Sequence, residues 1–295
     1  MKQYSGTGQA TQIIMPSRGY LICCIERTGS NLLAEALAGT GIAGRPIEYF
    51  NPVVQEKPWM RDILGDSALA DGLHKILVAG TTPNGLFGAK LHWNHFRHLG
   101  MSINGEWNDS QRVAPYELLR SRLPNLLSRA AASELLWSRF SDPGSQTTAY
   151  ALLRSRLSDL RVIWLRRENM VARAISHFRA RQTGIWQQSL SKGGTVPGEQ
   201  RHDFDLAEIH ILYCLGCFQE EWWRRFFEGQ EISPHCVVYE ELVADYESTV
   251  RRVMGFLGLK GEQTLIPPPR SLKQSDALSE EWEARYRKLS AEAGI

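Results

Sequence analysis

The sequence predicts an α/β protein: a parallel sheet flanked by helices on both faces. Three observations carry the prediction. Short, mainly apolar runs of strand length recur at Tyr20–Ile25, Gly85–Leu91, Arg161–Leu165 and His235–Tyr239, and they do not alternate with polar residues, as befits strands buried on both faces. Segments of helical period separate them, which is the strand–helix alternation of a parallel sheet. Polar residues cluster at the ends of the runs, at Arg27–Asn31, Lys90–His92 and Arg166–Arg167, and ligands of such sheets sit at the carboxyl ends of the strands.

The elements follow in order. The first run stops at the polar turn Arg27-Thr28-Gly29-Ser30, and helical spacing resumes at once with Leu32, Leu33, Ala36 and Leu37, predicting a helix over about 30–39. The second strand ends near Leu91. The third begins at Arg161 and feeds a helix over about 169–182. A long apolar-rich helix over about 206–228 precedes the fourth strand. A helix over about 244–257 then ends at Gly258, in the usual C-terminal manner. The IPPPR segment, 266–270, is expected to be extended, because each proline pushes its predecessor out of the helical region.

Two stretches stand outside this alternation. Residues 116–124 and 150–158 share the pattern Y-x-L-L-R-S-R-L, which suggests a helical insertion around 100–150 made by local duplication; chance likeness of two amphipathic helices is the alternative. The glycine-rich polar loop around 189–203 reads as a flexible insertion or a lid.

Composition bounds the function classes. A chain of 295 residues with 43% hydrophobic content can build a full core and reads as a single domain over 1–295. The formal charge of +2 argues against a nucleic-acid partner recognised by bulk charge. Residues 112–167 depart from that balance with ten arginines against four acidic residues, which suits a solvated helix face or an anion-attracting patch. No apolar run reaches the roughly 20 residues of a membrane span, and MKQYSGTGQATQ lacks the apolar core of a signal peptide. A cytoplasmic location is expected, and the five cysteines agree. Cys23 and Cys24 are strand neighbours and face opposite sides; Cys214 and Cys217 lie within a helical run and read as buried thiols.

The loop after the first strand is the richest in chemistry. A glycine, two hydroxyls and a guanidinium stand where a helix begins, and the orphan amides and dipole of a helix N-terminus favour an oxyanion. The alternative is an ordinary capped helix. No G-x-x-x-x-G-K-[ST] string occurs, so the loop is not a Walker A motif. A second basic site is WLRRENMVARAIS, with an arginine pair at a strand end and a serine one helical stretch later; a guanidinium can meet a phosphate through two parallel N–H bonds, while a helix start with two solvated arginines is the alternative. GRPIEYFNP offers Arg45 and Glu48 as paired donors and acceptors for hydroxyls, with Tyr49 or Phe50 as a stacking face; a turn with a salt bridge is the dull alternative. GTGIAG at 39–44 follows a helix and fails the dinucleotide test. His92, His95 and His98 are three apart but need not align, and no carboxylate sits close in sequence, so no metal is expected.

The stretches RTGSNLL–E and GRPIEYF together resemble the bacterial family of sulfotransferases that includes trehalose 2-sulfotransferase, with a P-loop-like sulfotransferase fold. The resemblance implies 3′-phosphoadenosine 5′-phosphosulfate (PAPS) as co-substrate. It assigns Arg27, Thr28, Gly29, Ser30 and Asn31 to the 5′-phosphosulfate loop, and Arg167 with Ser176 to the 3′-phosphate. It makes Glu35 the candidate base. His92, in AKLHW, is the rival, since it resembles the K-x-H that supplies the base in eukaryotic cytosolic sulfotransferases. Arg45 and Glu48 would bind the acceptor, a carbohydrate hydroxyl, with trehalose the first candidate and lipid-linked or capsular sugars as others. A homodimer is compatible with all of this. The rival readings are a nucleotide-dependent kinase, which the missing Walker lysine disfavours, and a glycan- or nucleotide-binding module without turnover.

Overall fold

A computed structural model of the chain describes residues 15–106, 117, 120, 143–186, 203–260, 264–269 and 276–295. The insertion expected around 100–150 lies largely outside these residues, as do the first copy of the repeat and all but the end of the loop at 189–203.

The four apolar runs form strands β1 (Arg18–Cys24), β2 (Leu86–His92), β3 (Asp159–Arg166) and β4 (His235–Val238). They pair in parallel in the order β2-β1-β3-β4. The helices are α1 (Ser30–Gly39), α2 (Pro52–Gln55), α3 (Pro58–Leu64), α4 (Leu73–Ala79), α5 (Trp93–Ile103), α6 (Pro143–Arg156), α7 (Met170–Thr183), α8 (Leu206–Gly229), α9 (Tyr239–Ala244), α10 (Tyr246–Phe256) and α11 (Ala277–Ala293).

Strand alternation divides the core between two faces. Tyr20, Ile22 and Cys24 of β1 pack with Leu33 and Leu37 of α1 and with Val250, Val253 and Met254 of α10. Leu21 and Cys23 face the other way, onto a larger core with Phe96 of α5, Leu153 of α6, Ile175 of α7, and Trp223 and Phe227 of α8. The two-sided helical cover and the parallel sheet are therefore as the apolar runs predicted. Cys23 and Cys24 fall in different cores and both are free thiols. Among the described residues, no helix is long and apolar enough to cross a membrane.

Two features of the topology position the site. The chain leaves β1 toward β2 on one side and leaves β3 toward β4 on the other, so the crevice at the carboxyl ends of β1 and β3 is the switch point where ligands of such sheets bind. On the other flank of β1, Ile47 bridges to Ala89 in parallel, and its carbonyl accepts the Lys90 N–H at 3.0 Å. That bridge brings Glu48 alongside Lys90.

Candidate active site at the carboxyl edge of the sheet

The β1–α1 loop turns by two residues in the left-handed region, Arg27 with φ 70° and Gly29 with φ 78°. Gly29 is required twice over: its φ favours glycine, and a Cβ there would lie 2.4 Å from Cδ2 of Tyr239. Thr28 is fully buried, and its hydroxyl donates to the Ile25 carbonyl at 2.8 Å, so that side chain shapes the loop from within. No side chain caps the N-terminus of α1 and its first turn holds no acidic residue. The dipole there is left for an external anion.

The loop and the next crossover are latched in both directions. Arg27 Nε donates to Ser176 Oγ at 2.9 Å, and Arg167 Nη1 donates to the Arg27 carbonyl at 3.1 Å. Arg27 also donates to the Trp186 carbonyl. Burial first, then the neighbouring charges of Arg167 and Arg173, push the Arg27 guanidinium down to about 10. It remains a cation at neutral pH, in a place crowded with cations. Arg167 Nε is buried and has no hydrogen-bond partner, although it lies 3.8 Å from the Glu240 carboxylate. A polyanion such as a nucleotide phosphate would relieve the like charges and take the unused donor. The residues present therefore suit a phosphate-bearing ligand, in keeping with the oxyanion site expected of the loop.

Beside this cation group lies a compact acid–base network. Lys90, only 5% exposed, forms an ion pair with Glu48 at 2.7 Å and donates to Asn31 Oδ1. Asn51 donates to the other Glu48 oxygen at 2.7 Å. Removing either member of the buried Lys90–Glu48 pair would strand a charge, at a cost of about 3–5 kcal/mol. His92 stands between two carboxylates, with Nδ1 3.7 Å from Glu26 and Nε2 3.9 Å from Glu48. Burial opposes its protonation, but Cys24, Glu48 and Glu26 outweigh burial and raise it to about 9. Burial likewise opposes ionisation of Glu26, yet His92, His177 and Arg173 hold that carboxyl at about 2. His95 stacks on His92 with centroids 4.8 Å apart; burial, then the charge on His92, pushes it down to about 3. His177, buried beside Arg173, is also held at about 3, chiefly by burial and by that charge.

These shifts predict how stability depends on pH. The folded value of His92 exceeds its unfolded value of about 6.5, so its contribution is complete below about pH 6.5 and disappears as pH rises through 9. His95 and His177 are depressed, so theirs is present above about pH 6.5 and is lost as pH falls toward 3. Each slope is at most about 1.4 kcal/mol per pH unit. Chemical denaturation should show stability declining on both sides of about pH 6.5, with His92→Gln flattening the alkaline limb and, because the His92 charge also depresses His95 and Glu26, altering the acid limb as well. An equal decline from pH 6.5 to 9 in wild type and His92→Gln would contradict the assigned charge of His92.

The remaining expected residues fall into place unevenly. Glu35 lies on α1, half-buried, four residues beyond Asn31 and so on the same helix face. Asn31 touches Lys90, so this face of α1 is turned toward the network. Arg45 and Glu48 do not pair with each other: Arg45 is exposed and donates to the Ala79 carbonyl at 3.4 Å, while Glu48 takes Lys90 and Asn51. Tyr49 and Phe50 are buried in the core, so neither offers the expected stacking face; Tyr49 instead donates to the Arg45 carbonyl at 3.0 Å. Of the three histidines, His92 and His95 stack while His98 Nδ1 lies 3.1 Å from the Phe50 carbonyl. Among the described residues no group of three or more His, Cys, Asp or Glu side chains could hold a metal.

Sequence reading assigned no site role to Glu26, Arg173, Tyr239 or Glu240. Arg173 is fully buried and spans the crevice wall, donating to the carbonyls of Glu26 at 3.0 Å and Leu212 at 2.7 Å. A signal for it existed: it sits three residues from Ser176 inside an apolar helical stripe where a solvated arginine has no place. Glu26 carried one too, as an acidic residue ending an apolar run.

The family model described as Stf0 sulphotransferase matches residues 19–114 and 116–289. The trehalose 2-sulfotransferase of Mycolicibacterium smegmatis is 29% identical over 300 residues, covering 94% of this chain and 97% of the relative. The trehalose 2-sulfotransferase of Mycobacterium tuberculosis is 27% identical over 304 residues, with the same coverage of each chain. A match spanning nearly the whole chain, over a sheet whose switch point gathers Arg27, Arg167 and Ser176, shows that this chain belongs to the Stf0 sulphotransferase family.

Proposed function

We propose that this sulfotransferase moves a sulfuryl group from PAPS to a carbohydrate hydroxyl, and that trehalose is the first acceptor to test. The observation that carries the donor reading is the double latch between Arg27, Ser176 and Arg167, with a buried arginine N–H left unused. The two relatives' names suggest the acceptor.

In this reading the acceptor oxygen attacks sulfur in line with the bond to the 5′-phosphate. That bond breaks, and its electron pair leaves with adenosine 3′,5′-bisphosphate. Arg27 and the amides of Gly29, Ser30 and Asn31 meet the charge growing on the departing phosphate. Arg167 and Ser176 hold the 3′-phosphate, and Arg45 and Glu48 face the sugar hydroxyls. Glu35 takes the acceptor proton. His92 is a poor base because it already carries a proton between Glu26 and Glu48; its charge instead keeps both carboxylates ionised.

Two measurements test the assignment. Adenosine 3′,5′-bisphosphate should raise the melting temperature more than ATP with magnesium does, and labelled sulfate should pass from PAPS to trehalose or another sugar of a panel. Stabilisation by ATP alone, or transfer to no sugar, would sink it. Ser176→Ala should raise the KM for PAPS about tenfold with a smaller change in kcat, because a 3′-phosphate contact is equal in ground and transition states. A fall in kcat at unchanged KM would mean that Ser176 acts through its bond with Arg27 instead.

A further inference from the structure

We propose that Tyr239 and Glu240, at the carboxyl end of β4, are positioning residues for Arg167 and set the protein's preference for a nucleotide with a second phosphate. The inference rests on the donor reading above, in which Arg167 holds the 3′-phosphate.

The Tyr239 ring meets both anion-binding loops. The guanidinium carbon of Arg167 lies 4.6 Å from the ring centroid, within cation–π range. The ring also fills the space beside Gly29, where any Cβ would come within 2.4 Å of Cδ2 and 2.8 Å of Cε2. It is therefore the spacer between the β1–α1 loop and Arg167, and the reason that loop can carry no side chain at position 29. Glu240 holds the other side. Its carboxylate oxygens accept the N–H groups of Glu168 at 3.1 Å and Asn169 at 3.2 Å, and one of them lies 3.8 Å from Arg167 Nε.

Arg167 is thus gripped by three groups: the Arg27 carbonyl, the Tyr239 face and the Glu240 carboxylate. A planar guanidinium recognises a phosphate well only when its plane is fixed beforehand. Both residues grip Arg167, so beyond any loss shared by the two ligands their removal should be read in recognition of the 3′-phosphate.

The test compares dissociation constants for adenosine 3′,5′-bisphosphate and adenosine 5′-monophosphate by calorimetry. Wild type should bind the bisphosphate more tightly. In Tyr239→Ala the ratio of the two affinities should shrink about tenfold, mostly through the bisphosphate. Tyr239→Phe keeps the ring and should keep the ratio. Glu240→Gln should shrink it by a smaller factor, about threefold, since one amide contact can survive. If Tyr239→Ala does not fold, Tyr239→Leu fills the volume without a π-face and should show the same tenfold loss. An unchanged ratio in the Ala or Leu variant overturns the proposal, because a merely structural tyrosine would weaken both ligands alike. Equal binding of the two nucleotides by wild type would instead overturn the donor reading, and this inference with it.

Discussion

Glu35→Gln should lower kcat by about 10²–10⁴ while leaving adenosine 3′,5′-bisphosphate binding near its wild-type value. The substitution keeps shape and hydrogen-bonding capacity and removes only basicity. Glu35 is the half-buried carboxylate on the α1 face shared with Asn31, just beyond the loop that would hold the phosphosulfate. The competing base, His92, is flanked by two carboxylates and holds its proton up to about pH 9. His92→Gln should therefore act mainly on stability and reduce kcat far less than Glu35→Gln does. The pH–rate profile tests the rival assignment directly: a histidine base would need activity to rise only as His92 loses its proton near pH 9. Wild-type kcat in Glu35→Gln alongside an inactive His92→Gln would reverse the roles.

What could be read from the sequence and what could not divide along a physical line. The bounds of α1 were legible because a polar turn ends an apolar strand at Arg27 and a glycine opens the helix at Gly29. The crossover carrying Arg167 and Ser176 was legible because the polar run from Arg166 to Asn169 ends the apolar strand β3 and Asn169 caps α7. The helix expected over about 244–257 is α10, and a short helix that was not anticipated, α9, precedes it across Asp245, whose φ of −138° leaves the helical region. The helix α11 was not anticipated, although Asp276 accepts the Ser279 N–H as an N-cap and Trp282, Tyr286 and Ser290 form a buried stripe four apart. The contacts that define the site were a different matter. Lys90 with Glu48, Arg173 with Glu26, and Tyr239 beneath Gly29 join segments far apart in the chain, and they depend on the strand order β2-β1-β3-β4. Local pattern predicts strands and helices but does not fix which strands become neighbours. The stacking face expected of Tyr49 and Phe50 failed on the same ground, since the Ile47–Ala89 bridge turns both rings into the core.

Arg27→Ala should reduce kcat/KM for PAPS by about 10³–10⁵, the scale on which a single arginine stabilises charge in transferred phosphoryl groups. Arg27 donates to Ser176 through Nε, and burial first, then the charges of Arg167 and Arg173, push its guanidinium down to about 10. On the proposed reading its removal takes away the charge nearest the departing phosphate, and it frees the latch to α7. Arg27→Lys restores charge but not the planar Nε–H, so it should recover activity only in part. Stability should move independently of activity. Arg27 holds a left-handed backbone, φ 70°, which strains any residue with a Cβ by about 1–2 kcal/mol. Arg27→Gly relieves that strain and should be more stable than Arg27→Ala by about 1 kcal/mol, with transfer equally lost. A strained arginine kept where glycine would fold better is the expected mark of a residue held for its charge. An Arg27→Gly enzyme within tenfold of wild-type kcat/KM would show that the strain serves the loop's shape alone, and the charge on the leaving phosphate would then have to be met by Arg167.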